Sequence, residues 1–157
     1  MSKYRFYALY LFTVLFLGEL FMNQSVAMSN ESPEILVRQF QQDYMEWNDY
    51  AFSLMGSKPD EYTELADKAW RRLLTKYTLP DFVGEPIAFG SESSHDPKKE
   101  KILSVVKSTN NITVVTTQYI VPDGYSPIYE YYLIFQDGRW YLMQVYFVDE
   151  GQLYPGL

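Results

Sequence analysis

The sequence predicts an α+β domain in which N-terminal helices pack on a curved antiparallel sheet of about five strands. Apolar residues recur at helical spacing between residues 33 and 77, and beyond Pro80 the apolar period changes to two, as in strands. Asp137-Gly138 lies between two such runs and is a typical two-residue hairpin turn. Helices followed by a run of antiparallel strands are the pattern of the α+β class.

Two amphipathic helices are predicted. The first covers about residues 33–55, where Ser32-Pro33-Glu34 supplies a capping hydroxyl, a proline at the first helical position and an acid at the positive end of the helix dipole. The second covers about residues 60–77 and ends before Pro80. The apolar face of the first helix is formed by Leu36, Phe40, Trp47, Ala51 and Leu54.

The apolar period of two in the second half of the chain predicts strands. The run at 82–89 contains Gly84 and Pro86, which favours an edge or a bulged strand. Residues 90–99 are predicted to form a polar loop, and residues 149–157 an irregular tail. The other predicted strands are 101–107, 112–121, 128–135 and 139–148.

Residues 1–27 resemble a secretory signal peptide. A basic start precedes an apolar run from Phe6 to Leu17, and Ser25-Val26-Ala27 places small residues at a cleavage site. The alternative is an uncleaved anchor from Phe6 to Met22, barely long enough to span a bilayer. Cleavage after Ala27 would leave one domain, 28–157, exported to the periplasm or secreted and without a stable membrane anchor.

Composition excludes several classes of function. The chain of 157 residues has a net charge of −7, which argues against nucleic-acid binding. It has no cysteine, which excludes disulfides, thiolate metal sites and cysteine nucleophiles. Its single histidine, His95, cannot build a histidine-rich zinc site. We therefore expect no metal and no cofactor, and no catalytic motif is recognisable.

The last hairpin predicts two apolar sheet faces. Counting from Asp137-Gly138 places Phe135 opposite Trp140, Leu133 opposite Leu142, Tyr131 opposite Gln144, and Tyr129 opposite Tyr146. A sheet with one solvent-exposed face should alternate apolar and polar residues, whereas both faces here are largely apolar. We therefore expect other parts of the protein, or a partner, to pack on each face. The helices pack on one face of the sheet. A long loop, a second copy of the chain or another protein packs on the other face. Alternatively, the tail and the 90–99 loop fold over it. The other face would carry Ile128, Glu130, Tyr132, Ile134, Tyr141, Met143, Val145 and Phe147.

Two helices followed by a bent sheet that ends in the hairpin 131–142 (Tyr-Tyr-Leu-Ile-Phe-Gln-Asp-Gly-Arg-Trp-Tyr-Leu) resemble the NTF2-like, cystatin-like α+β cone superfamily. Within it the chain is most similar to the NTF2-fold immunity proteins of bacterial polymorphic toxin systems. The similarity is carried by Met45-Glu46-Trp47, the segment 96–102 and the closing Trp140 strand. The resemblance implies a small acidic protein that binds and blocks a cognate toxin, although the export signal departs from the usual family pattern.

The resemblance also implies where sites would lie. Trp140, Leu142 and Gln144 would face the helices, and the outer sheet face would bind the toxin or a second copy. Clustered acids at the start of the second helix would attract a basic toxin. The candidates inside the cone are Trp47, Tyr131, Trp140, Gln144 and Glu130. The candidates for partner binding are Tyr132, Tyr141, Met143, Phe147, Glu61 and Glu64.

Two other functions stay open. The aromatic cone could bind a small ligand, or the protein could be an NTF2-like lyase or isomerase with Glu130 as the base. His95 in its polar loop is expected to be a solvated histidine, with a catalytic or pH-sensing role as the alternative.

Overall fold

The computed structural model describes residues 32–108 and 110–157, so the predicted signal peptide lies outside the described residues. The predicted α+β class is confirmed: two helices pack against an open antiparallel sheet of five strands. The strands follow one another across the sheet in chain order. The elements are α1 (Pro33–Ser57), α2 (Tyr62–Tyr77), β1 (Glu100–Lys107), β2 (Ile112–Tyr119), β3 (Ile128–Gln136), β4 (Arg139–Asp149) and β5 (Gln152–Pro155).

Both helices form where the apolar periodicity predicts them. Helix α1 begins at Pro33, whose missing amide hydrogen costs nothing in the first turn, and Lys58 closes it by donating to the Leu54 carbonyl at 2.8 Å. Helix α2 begins at Tyr62 and ends when Thr78 donates to the Leu74 carbonyl. The described residues contain no helix with an apolar stretch long enough to cross a bilayer.

The fifth strand is not the one predicted. Residues 82–89 form no strand. Pro86 has no amide hydrogen to donate to a ladder, and Gly84 packs against α2, where an added Cβ would lie 2.4 Å from Cδ1 of Leu74. Instead, the tail predicted to be irregular forms β5. Glu150 and Gly151 have φ angles of 47° and 78° and make a tight hairpin turn of the kind seen at Asp137-Gly138.

The hydrophobic core lies between the helices and one face of the sheet, which we call the inner face. Phe40 of α1 packs edge-on against Tyr131, with ring centroids 6.2 Å apart. The inner face is defined by Val115, Tyr131, Leu133, Leu142 and Val145, all buried in the core. The opposite, outer face carries Val114, Tyr132, Ile134, Tyr141 and Tyr146.

A bulge in β4 changes which residues share a face. The predicted pairing holds from the turn to Leu133 opposite Leu142, but Tyr132 then pairs with Gln144 and leaves Met143 as the extra residue. Beyond the bulge every side chain of β4 is on the face opposite to the predicted one. Tyr131 therefore pairs with Val145 rather than with Gln144.

Candidate functional site

The outer face of the sheet carries a group of apolar and aromatic side chains that we call the outer-face patch. All its members are partly exposed, while the helices pack on the inner face. The Tyr132 and Tyr146 rings meet edge-on at 5.1 Å, and the Tyr132 hydroxyl donates to the Glu130 carboxylate at 3.1 Å. The patch comprises Tyr132, Ile134, Tyr141, Met143 and Tyr146.

Some predicted partner-binding residues belong to this patch, and others do not. Tyr132, Tyr141 and Met143 lie there, as the sequence predicts. Phe147 does not, because the bulge turns it to the inner face opposite Tyr129, with ring centroids 6.0 Å apart. The alternative, in which the tail and the 90–99 loop fold over the outer face, is wrong, since β5 extends the sheet edge and the loop packs on the inner side.

The remaining predicted candidates are spread over the molecule. Glu61 and Glu64 are exposed at the start of α2. Trp47 is a core residue that donates to the Ala66 carbonyl at 3.1 Å. Trp140 is partly buried and packs against Phe135.

Gln144 and Glu130 are not inside the cone. Gln144 accepts a hydrogen bond from the Leu157 backbone amide at 2.9 Å, which fixes the end of the chain. Glu130 lies on the outer face, where it pairs with Tyr146 of β4 and binds the Tyr132 hydroxyl. The base proposed for a lyase or isomerase therefore does not face the core.

The most concentrated polar chemistry lies elsewhere, around the carboxylate of Glu100. Its Oε1 atom lies 2.8 Å from Nδ1 of His95, and its Oε2 atom accepts from Gln41 at 2.9 Å and from Thr117 at 2.5 Å. The Tyr131 hydroxyl lies 2.9 Å from Oε2 and 2.8 Å from the His95 nitrogen. We call these five residues the Glu100 cluster, and none is more than 4% exposed.

Helix α1 holds the loop that carries His95 in place at both ends. Asn48 exchanges two hydrogen bonds with the Gly90 backbone, at 2.9 and 3.0 Å. The Arg38 guanidinium donates to the carbonyls of Pro97 and Glu100, at 3.1 and 2.7 Å. The prediction of a solvated histidine is therefore wrong, because these contacts fold the polar loop onto the core.

Aromatic rings enclose the histidine. The rings of Tyr44 and Tyr129 each lie 4.6 Å from the His95 ring, edge-on. Burial, together with the nearby Glu100 carboxylate, raises the pKa of Tyr129 to about 12. Burial also raises the pKa of Tyr44 and of Tyr131 well above the usual value, so these phenols stay neutral in the core.

A carboxylate, an imidazole and a phenol in contact are capable of proton transfer, provided that a substrate atom can reach them. Every buried side-chain nitrogen and oxygen of the described residues has a hydrogen-bond partner, and the Glu100 cluster is closed to solvent in this conformation. Two surface pockets, of about 80 and 230 Å³, are lined by other residues. The hydrogen bonds of the Glu100 cluster join α1, the loop and three strands.

Residue spacing in the sequence indicates that two members of the Glu100 cluster are buried. Gln41 follows Val37 by four residues and precedes Tyr44 by three, which places it on the buried side of α1. Thr117 alternates with Val115 and Tyr119 on the inner face of β2. The described residues contain no group of three or more acidic or histidine side chains arranged to hold a metal ion.

Comparison of the chain with protein-family models, with curated proteins and with solved structures finds no match in any of the three.

Proposed function

We propose that this chain is an exported, non-enzymatic immunity protein of the NTF2-like kind, which binds a cognate bacterial toxin and neutralises it. The observation that carries this proposal is the outer-face patch, in which three tyrosines stand partly exposed on a rigid antiparallel sheet. Tyrosines on a fixed scaffold are favoured in protein interfaces because they bury a large area at a low entropic cost.

The patch is organised before any partner arrives. The edge-on contact of Tyr132 with Tyr146 and the hydrogen bond from Tyr132 to Glu130 restrict both rings. Restricting side chains in advance lowers the free-energy cost of ordering them on binding. The patch therefore favours a protein partner that presents an apolar surface with donors for the tyrosine hydroxyls.

The charge of the chain supports a basic partner. The net charge is −7, and Glu61 and Glu64 are exposed at the start of α2. Because α2 packs on the inner side, these acids contribute to long-range attraction rather than to contacts at the patch. Such attraction raises the association rate and weakens with added salt.

The alternatives have less support. A small-ligand protein usually offers a cavity of about 300–1,000 Å³, whereas the space between the helices and the inner face is filled by buried side chains such as Phe40, Trp70 and Leu133. An enzyme needs an acid or base that a bound substrate can reach, whereas Glu100 and His95 are buried and Glu130 lies outside the cone.

The test uses neutralisation. Antiserum against the native protein captures partners from the envelope and secreted fractions of the producing cell, and each captured protein is expressed alone and with this chain while growth is measured. We expect one captured protein to arrest growth and this chain to restore it. If neither a captured protein nor the product of a neighbouring gene is neutralised, the proposal is wrong.

Variants locate the interface. Tyr132→Ser combined with Tyr146→Ser should weaken toxin binding roughly a hundredfold, the scale of two interface hot spots. The matched control is Tyr125→Ser, which removes an exposed tyrosine from the turn before β3. If the double variant neutralises as well as the control, the patch is not the interface.

A further inference from the structure

The smaller of the two pockets described above lies where α2 meets α1 and the segment 86–89. Its volume is about 80 Å³, against about 300–1,000 Å³ for a site that holds a drug-sized ligand. Three aromatic rings line it, those of Trp47, Trp70 and Phe89. We call it the aromatic pocket, and its size matches a head group of a few heavy atoms.

The two tryptophans of the aromatic pocket are held in place, and their polar groups are already used. The indole N–H of Trp47 donates to the Ala66 carbonyl at 3.1 Å, and that of Trp70 donates to the Glu85 carbonyl at 3.0 Å. The Phe89 ring stands perpendicular to the Trp47 ring, at an interplanar angle of 88°. A corner between perpendicular rings presents ring faces, which carry partial negative charge and therefore attract cations.

A carboxylate lines the same pocket. Asp67 is partly exposed there, and its Oδ2 atom accepts a hydrogen bond from Nε of Arg71 at 2.9 Å. No described residue donates to its other oxygen. Asp67 is also the last of four acids in residues 60–67, a stretch without a basic residue. Ring faces and a carboxylate on one small cavity favour a cationic ligand.

The chemistry of the walls distinguishes between kinds of cation. A lysine ammonium carries three N–H donors and an arginine guanidinium five, and a donor buried without an acceptor is costly. Aromatic walls offer no such acceptors, whereas a methylated ammonium has few or no donors and fits against apolar walls. A phosphate or carboxylate next to the ammonium would be repelled by the acids of residues 60–67, so a simple cation fits better than a zwitterion.

We propose that the aromatic pocket binds a small organic cation with a methylated ammonium group, of the choline type. The ring faces and the Asp67 carboxylate attract the charge, and the apolar walls contact the methyl groups. The aromatic pocket is formed by the helices and the segment 86–89 and is separate from the outer-face patch. The proposal therefore stands whether or not the protein neutralises a toxin.

The test compares three compounds on the full chain: choline, its uncharged isostere with carbon in place of nitrogen, and phosphocholine. Titration followed by tryptophan fluorescence should show saturable binding of choline, with a dissociation constant on the order of 1 mM. The other two compounds should bind about tenfold more weakly or worse. Absence of choline binding, or equal binding of the uncharged isostere or of phosphocholine, would overturn the proposal.

The fluorescence signal can be assigned to the aromatic pocket. The chain has three tryptophans, and Trp140 is the one that does not line this pocket. The change in emission on adding choline should therefore persist in Trp140→Phe. Its loss in that variant would place the binding site elsewhere and contradict the proposal.

Two variants of the pocket provide matched comparisons. Phe89→Leu removes one ring and should weaken choline binding about tenfold, whereas Phe82→Leu alters another partly buried ring packed on the core and should leave binding unchanged. Asp67→Asn removes the charge at nearly constant shape and should weaken binding about threefold to tenfold. Its control is Asp123→Asn in the exposed turn before β3. Circular dichroism checks that each variant is folded, and unchanged binding in folded Phe89→Leu or Asp67→Asn would refute the proposal.

Discussion

The two faces of β3 have similar side chains and different surroundings. Tyr131 and Leu133 on the inner face are completely buried, whereas their neighbours Tyr132 and Ile134 on the outer face stay partly exposed. An apolar residue at a strand position therefore does not show that the fold buries it. On the inner face the helices cover these side chains, whereas on the outer face none of the described elements packs over them.

The largest loss of stability is expected from removing the Glu100 carboxylate, which accepts hydrogen bonds from several buried groups on the inner face. Glu100→Ala would leave His95, Gln41, Thr117 and Tyr131 without their common partner in a buried place. We expect the free energy of unfolding to fall by about 3–5 kcal/mol, because each buried polar group left without a partner costs about 1–3 kcal/mol and Glu100 serves several. Urea denaturation measures this. The control is Glu130→Ala on the outer face, expected to cost less than about 1 kcal/mol, and equal losses would refute the contrast.

Truncating adjacent residues compares the packing of the two faces directly. Leu133→Ala should lower the free energy of unfolding by about 2–5 kcal/mol, because it opens a cavity in a closely packed core. Ile134→Ala removes a similar volume from the partly exposed face and should cost about 1 kcal/mol or less. Thermal or urea unfolding of both variants tests the prediction, and a larger loss for Ile134→Ala would show that the outer face is covered.

Alkaline pH should weaken the inner face. Burial raises the pKa of Tyr129 to about 12 in the folded protein, and the unfolded tyrosine ionises near its usual value of about 10. The stabilising contribution is therefore complete below about pH 10 and is lost as the pH rises towards 12. Tyr129→Phe should lose less stability over this interval than the unaltered chain, measured by urea unfolding at each pH. Tyr50→Phe, which alters an exposed residue of α1, serves as the control.

The smallest effect concerns contacts within the outer-face patch. A double-mutant cycle on Tyr132 and Tyr146 should give a coupling energy of about 0.5–1 kcal/mol, as for other edge-on aromatic pairs across strands. The cycle uses the free energies of unfolding of both single alanine variants and the double variant. A coupling energy indistinguishable from zero would mean that the two rings are not organised before a partner binds.

Much of the fold could be predicted from the sequence, and the failures have identifiable causes. Both helices and four of the five strands follow from periodicity. Residues 82–89 alternate like a strand, but this segment packs on α2 through Gly84 and pairs with no described strand. The fifth strand follows a Glu150-Gly151 turn, a weaker signal than Asp137-Gly138.

The candidate site was predicted less well than the fold. The bulge at Met143 cannot be read from alternation, and it exchanges the predicted faces of Gln144 and Phe147. His95 was expected in solvent because its neighbours in the chain are polar. Nothing in the local sequence indicates that Arg38 and Asn48 hold that loop against α1.

The sequence by itself determines the features that depend on neighbouring residues: the helix at Pro33, the turn at Asp137-Gly138 and the apolar character of both sheet faces. The tertiary structure alone decides which face is buried and where charge lies in the core. Gln41 reaches Glu100 across 59 positions of the chain and Tyr131 across 90. Such contacts form only when distant segments pack together, so the burial of these groups is a property of the assembled fold and not of any segment within it.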